Sequence, residues 1–192
     1  RSMPRNSRLN KTTVILAAME LANSNGLDQL NLKDLAKKLN IKSPSLYNHI
    51  NGLAELKKDL AVKAIKALVD KIKDETVGKS GPNALRAMAW AYLEYVRENP
   101  GMVTLIAKAP DKKNEEAMEL DQDFVRTGMA IMAGFNLEQT DSIHGLRAIR
   151  CAAHGFAVLE LEQGFGIAID PNESFEWMIS QLISGINSRA KS

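Results

Sequence analysis

Residues 31–52 constrain the fold more than any other part of the chain, because within them a helix starts, stops and starts again. Asn31 is a good N-cap with Asp34 three residues on, and Leu35, Ala36 and Leu39 follow at helical spacing before Asn40. Asn40 sits where a tight helix-to-helix turn needs a left-handed backbone, which Asn adopts more readily than any residue but Gly. Ile41 then points back toward the core. Ser43 as N-cap and Pro44 in the first turn open the next helix, which carries Ser45, Leu46, Tyr47, Asn48 and His49 until Asn51-Gly52. Two short helices joined by a tight turn and followed by a longer one form the arrangement whose second short helix enters the DNA major groove. Small or hydrogen-bonding groups at the start of that helix let its backbone approach a duplex, while Leu46 and Ile50 face the core.

The rest of the chain reads as helix throughout. Val14, Ala17, Ala18 and Leu21 recur on one helical face from about Lys11 to Asn25-Gly26. A long helix runs from Leu53 through Leu56, Leu60, Ile65, Leu68 and Ile72 to the break at Gly78–Pro82. Further helices are expected around 82–98, 100–108, 114–133, 138–164 and 173–187. The expectation is an all-α protein of about nine helices: an N-terminal three-helix head, residues 1–55, and a helical bundle, residues 56–192. Only 5% of residues are aromatic against 45% hydrophobic overall, a balance that suits helices and argues against an all-β sandwich.

Charge is divided unevenly. Residues 1–63 hold 11 Lys and Arg against 5 Asp and Glu, whereas the remainder holds 14 against 18. A basic head on an acidic body suits nucleic-acid binding, although a solvated basic helix face gives the same bias. The single cysteine, Cys151, forms no internal disulfide and points to a reducing compartment. No apolar run approaches the roughly 20 residues of a membrane span, and Arg1-Ser2-Met3-Pro4 lacks a signal-peptide core, so a cytoplasmic protein without a membrane partner is expected.

The run from Leu35 to Ile50, Leu-Ala-Lys-Lys-Leu-Asn-Ile-Lys-Ser-Pro-Ser-Leu-Tyr-Asn-His-Ile, resembles the DNA-binding signature of TetR-type repressors, over roughly residues 11–60. The resemblance implies a phosphate contact from Tyr47, an approach to base edges by Ser43, Pro44, Ser45 and Asn48, and support of the backbone contact by His49. Two positions depart from the family's pattern: Asn40 stands where Gly is common, and Leu53 where many members place a phosphate-binding Lys. Lys57, one turn along, or the free amides at that helix start are then expected to hold the phosphate. Lys33 and Lys42, with Arg5 and Arg8 on the N-terminal arm, are further phosphate candidates.

A second resemblance covers about residues 143–186, where His154-Gly155-Phe156, Leu159-Glu160, Gly164-Phe165-Gly166 and Ser174-Phe175 are similar to the ligand-binding domain of one TetR subgroup. It implies a long penultimate helix and a last helix that build the four-helix interface of a homodimer bound to double-stranded operator DNA. The residues themselves show a stripe of Phe175, Ile179, Leu182 and Ile186, widened by Met178 and Ile183, with Ala153, Ala157 and Gly164 allowing close approach of the preceding helix. The same stripe is also compatible with ordinary monomer core. For a small-molecule effector, His144, Arg147, Cys151 and His154 recur at spacings of 3, 4 and 3, and Trp90, Tyr92, Met102 and Phe124 are candidates for the opposite wall. Met88, Met118, Met129 and Met132 read as core filler.

No catalytic or metal constellation emerges. Asp141 and His144 have ligand-like spacing, yet His144 and His154 lie ten residues apart; at ~1.5 Å per residue, about 15 Å separates them along a helix. Gly164-Phe165-Gly166 has no preceding strand, so it is not a dinucleotide loop, and no cofactor is expected. Repression by an effector-released regulator is the expected function. A helical small-molecule-binding enzyme and a protein-interaction adaptor are the alternatives at this point.

Overall fold

The computed structural model describes residues 9–190, and all regular structure among them is helical. Arg5 and Arg8 lie outside the described residues. The nine α-helices of the described residues are α1 Lys11–Asn25, α2 Leu32–Lys38, α3 Ser43–Leu46, α4 Leu53–Thr76, α5 Gly81–Glu98, α6 Val103–Ala107, α7 Glu115–Met132, α8 Gln139–Leu161 and α9 Pro171–Asn187. They divide into two compact units, one running up to Ala64 and including Asn99–Lys108, the other made of Ile65–Glu98 and the chain from Ala109 onward. No helix among the described residues is long and apolar enough to cross a membrane.

The first unit is built on α1. A capping box closes its start: the Asn10 side chain accepts from the Thr13 amide at 2.9 Å, and Thr13 Oγ1 accepts from the Asn10 amide at 3.0 Å. Asn31 caps α2 as its sequence position predicts, accepting from the Asp34 amide at 2.9 Å. Asn40 has φ 55°, and around it the Ile41 amide donates to Ala36 O (3.0 Å) and the Asn40 amide to Lys37 O (3.1 Å). That pair of bonds is a Schellman motif, which satisfies carbonyls the end of α2 would otherwise leave open.

The third helix differs from expectation in two ways. Lys42, not Ser43, is its N-cap residue, with no side-chain cap bond, so Ser43 and Pro44 both lie in the first turn. The α-helix also ends at Leu46, and the chain reaches Ile50 through tighter i→i+3 bonds such as His49 N–H to Leu46 O at 2.8 Å. Leu46 and Ile50 are nonetheless buried with Val14, Ala18, Leu35 and Leu56, as the pattern predicts.

Asn99–Lys108 completes this unit by backbone-to-backbone contact. The Gly101 amide donates to Asn23 Oδ1 at 3.0 Å, and Asn23 Nδ2 donates to Asn99 Oδ1 at 3.2 Å. A Cβ on Gly101 would lie 2.2 Å from the Ala22 carbonyl oxygen, so only glycine admits this approach. Met102, fully buried, lies in this unit, whereas Trp90, Tyr92 and Phe124, the other candidates for the pocket wall, lie in the second.

In the second unit α5 packs against α7, α8 and α9, and its buried residues run from Gly81 to Val96 over more than one face. Phe175 of α9 lies edge-on to Trp90 of α5 (ring centroids 4.8 Å) and to Phe156 of α8 (5.0 Å), forming the aromatic centre of the core. Of the four methionines read as filler, Met88 and Met132 are buried and Met118 and Met129 half-buried. α8 stops at Leu161, short of the predicted Gly164: Gln163 takes the left-handed conformation (φ 56°), and the Gly164 amide bonds Leu159 O at 2.7 Å.

Candidate nucleic-acid interface and effector body

Leu46 and Ile50 anchor the short α3 turn and leave its other side in solvent. Tyr47, between them in sequence, is 60% exposed; a Tyr packed on its neighbours would be mostly covered. Lys42, Ser43, Pro44 and Asn48 are exposed, and Ser45 and His49 half-buried. The segment thus presents hydroxyl, amide, imidazole and phenol groups on a rigid apolar footing, the combination required to read base edges and phosphates.

Ion pairing separates the lysines of this unit into two sets. Lys11 pairs with Asp59 (2.8 Å), Lys38 with Glu20 (2.8 Å) and Lys58 with Glu55 (3.0 Å). Lys33, Lys37, Lys42 and Lys57 form no ion pair among the described residues, so their charge remains available to a polyanion. Leu53 occupies the first position of α4, and Lys57, half-buried, follows one turn along.

In the second unit the polar groups assigned to an effector wall separate. His144, Arg147 and Cys151 are exposed on the outer side of α8. His154 turns inward, and the Tyr92 hydroxyl lies 3.0 Å from its Nδ1. Arg150, which spacing did not single out, joins them with its guanidinium 5.0 Å from the centroid of the Phe124 ring. Burial pushes the Tyr92 phenol up to about 12 against the opposing pull of Arg150. Burial, then the charge of Arg150, hold His154 below its ordinary value, so it is neutral at pH 7. Trp90 points elsewhere: its indole N–H donates to Glu176 Oε2 (2.8 Å), while Arg86 Nε donates to Glu176 Oε1 (2.7 Å). This strut between α5 and α9 had no signal in the sequence, because its members lie 86 and 90 residues apart.

The residues read as a dimer seam also divide. Phe175, Ile179, Ala153 and Ala157 lie at 1% exposure or less inside the unit's own core, which corrects their assignment to an interface. Met178, Leu182 and Ile186, half-buried, flank the outer face instead. There α8 and α9 enclose a groove of about 470 Å³ lined by His144, Ala148, Leu182, Gly185 and Ile186, with Asp141 and Arg189 paired at 3.8 Å on its rim.

A helix-turn-helix head with an outward-facing recognition segment, joined to a separate helical body, defines a class: the DNA-binding transcriptional regulators that carry a ligand-binding domain. Residues 85–182 match the family model described as "Tetracyclin repressor-like, C-terminal domain". The HTH-type transcriptional regulator YobS of Bacillus subtilis is 35% identical over 179 residues, covering 93% of each chain. The tetracycline repressor protein class D of Escherichia coli is 32% identical over 158 residues, 82% of this chain and 67% of that one. In fold, the chain is similar to TetR from Acinetobacter baumannii AYE, with TM-score 0.71 at 20% identity over 96% of this chain and all of the other. The chain belongs to the TetR family of transcriptional regulators. It is a DNA-binding regulator with a ligand-binding body.

Proposed function

We propose that the protein represses transcription as a homodimer, each copy placing α3 and the following turn in one half-site of a twofold operator. Tyr47 and Lys33, Lys42 and Lys57 hold phosphates; Ser43, Pro44, Ser45 and Asn48 approach base edges, and His49 supports the backbone contact. The exposure of Tyr47 beside fully anchored Leu46 carries this reading. The dimer forms through the outer face of α8 and α9, where Leu182 and Ile186 line the groove and Met178 is half-buried on the same helix. A small molecule bound in the second unit changes the relative stability of the DNA-competent and released states, and its differential affinity for the two sets the size of the response. A regulator of this kind acts where the operator is, in the cytoplasm.

The test is Tyr47→Ala on a duplex selected from a random pool, followed by fluorescence anisotropy. Affinity should fall about tenfold, the loss of one charge-assisted contact of ~1.4 kcal/mol, with the thermal midpoint unmoved. Unchanged affinity removes the segment from the DNA interface.

A further inference from the structure

The residues that join α8 to α9, 162–170, are all exposed, and those from Gln163 to Ile169 carry no charge. Ile167 is 79% and Ile169 58% exposed, and with Phe165 they border a hollow of about 290 Å³, so the apolar patch is contiguous. We infer that this loop is a dimer arm, whose Ile167 and Ile169 seat in the groove between α8 and α9 of a second copy of the chain. The inference rests on the reading that the outer face of α8 and α9 is the dimer seam, and names the segment that fills the groove there.

The arm is pinned at both ends and at its base. The Gly164 amide donates to Leu159 O (2.7 Å), the Asp170 carboxylate accepts from the Asn172 amide (2.9 Å), and the Phe165 ring lies against Phe156 of the core (4.7 Å between centroids). At the tip the Ile169 amide donates to Ile167 O at 2.8 Å. Two isoleucines held in water on a fixed loop gain from burial, and a loop already fixed loses little freedom when it docks.

The two helices alone make a small seam. α8 has 23 residues and α9 has 17; roughly a third of each faces one way, about 13 positions, against about 20–30 residues that each partner gives a stable interface. The loop supplies most of the difference. Ala148, Ala152, Gly155 and Leu159, at spacings of 4, 3 and 4, carry the groove's side of α8 along to it, and Leu159 is itself 52% exposed.

Twofold symmetry brings arm and groove together. α8 and α9 run antiparallel: Arg97 bridges Glu160 and Asn172 at one end of the pair, and Asp141 meets Arg189 at the other. The groove lies at that second end, against residues 141–148 of α8, about 25 Å from the arm at ~1.5 Å per residue. A twofold axis crossing the pair midway exchanges its ends, so each arm meets the partner's groove and the contact closes on two copies. Leu182 and Ile186 offer the isoleucines an apolar floor, and Asp141 and Arg189 on the rim neutralise each other at 3.8 Å, so seating an uncharged arm strands neither.

The experiment uses the full chain with Cys151→Ser as background. Ile167→Cys and Gly185→Cys place one thiol on the arm and one in the groove, where a Cβ on Gly185 meets nothing within 4 Å. The two sites are too far apart in one chain for a disulfide, which needs Cα atoms within about 7 Å. Diamide oxidation of an equal mixture of the two single variants should yield a covalent dimer on a non-reducing gel, and neither variant alone should. In a separate protein, Ile167→Ser with Ile169→Ser should raise the dimer dissociation constant at least about tenfold by sedimentation, with the circular dichroism spectrum unchanged. Cross-linking of Ile167→Cys to itself would show that the arms meet each other, and a dimer without any cross-link would leave the arm to a different partner; either overturns the inference, as does an unchanged dissociation constant. In those cases the seam reading stands. A parent chain that stays monomeric at every concentration defeats the seam and the arm together.

Discussion

Phe175→Ala distinguishes a residue of the subunit core from one of a dimer seam. The ring is fully buried and makes two edge contacts, with Trp90 at 4.8 Å and with Phe156 at 5.0 Å, so truncation opens a void where α5, α8 and α9 meet. Phe-to-Ala changes in such positions cost about 3–5 kcal/mol, the lost transfer free energy plus the cavity. For a chain of this length ~1 kcal/mol lowers the midpoint by ~2–4 °C, so a fall of about 6–20 °C is expected. Thermal melts followed by circular dichroism give the midpoint, and sedimentation at 10 °C gives the oligomeric state of the folded fraction. The account predicts a large fall in midpoint with the folded fraction still dimeric, while Leu182→Ala, on the outer face, weakens the dimer more than it lowers the midpoint. A Phe175→Ala protein that melts within about 2 °C of the parent but sediments as a monomer would refute the core assignment.

Two further predictions follow from the packing and the charges. Gly101→Ala places a Cβ 2.2 Å from the Ala22 carbonyl oxygen and strains the Gly101–Asn23 hydrogen bond; a loss of about 2–4 kcal/mol is expected, from overpacking together with the weakened bond, and a midpoint within 2 °C of the parent would show that α1 yields freely. Acid should destabilise the protein in two stages. His154 has a lowered value in the fold, so the unfolded chain gains the proton first and stability declines as pH falls below about 6.5. For Glu176, burial raises the carboxyl but the hydrogen bonds from Trp90, Ser180 and Arg86 outweigh it; its stabilising contribution is present above pH 4.5 and is lost as pH falls through its lowered value. Urea midpoints measured from pH 7 to pH 3 check both, with His154→Asn flattening the upper stage and Glu176→Gln the lower; parallel curves for all three proteins would contradict the assignment.

Local chemistry was legible in the sequence wherever a residue answers to its own backbone. Asn40 adopts the left-handed turn its position implies, Asn31 caps α2, and Leu46 and Ile50 face inward. Ser43 misled because a Ser before Pro reads as a cap, whereas the extended residue at the start of α3 is Lys42. What periodicity does not carry is the identity of the covering surface. Phe175 and Leu182 share the broad apolar face of α9, and no pattern in the sequence tells Phe175, packed on Trp90, from Leu182 at the outer groove. For the same reason the 3-4-3 row on α8 mixed exposed His144, Arg147 and Cys151 with inward His154 and passed over Arg150. The unit to which Met102 belongs was illegible for a different cause: the segment Asn99–Lys108 joins the unit built on α1, through a hydrogen bond between residues 78 apart.

The central claim, that two copies read one twofold operator through α3, is tested by sedimentation of the protein with its selected duplex across a salt series. The account predicts two chains per duplex, a selected sequence with half-sites about 34 Å apart, and affinity that falls steeply and linearly in logarithm as salt rises. One chain per duplex, a pool without twofold symmetry, or no binding at low salt would contradict it.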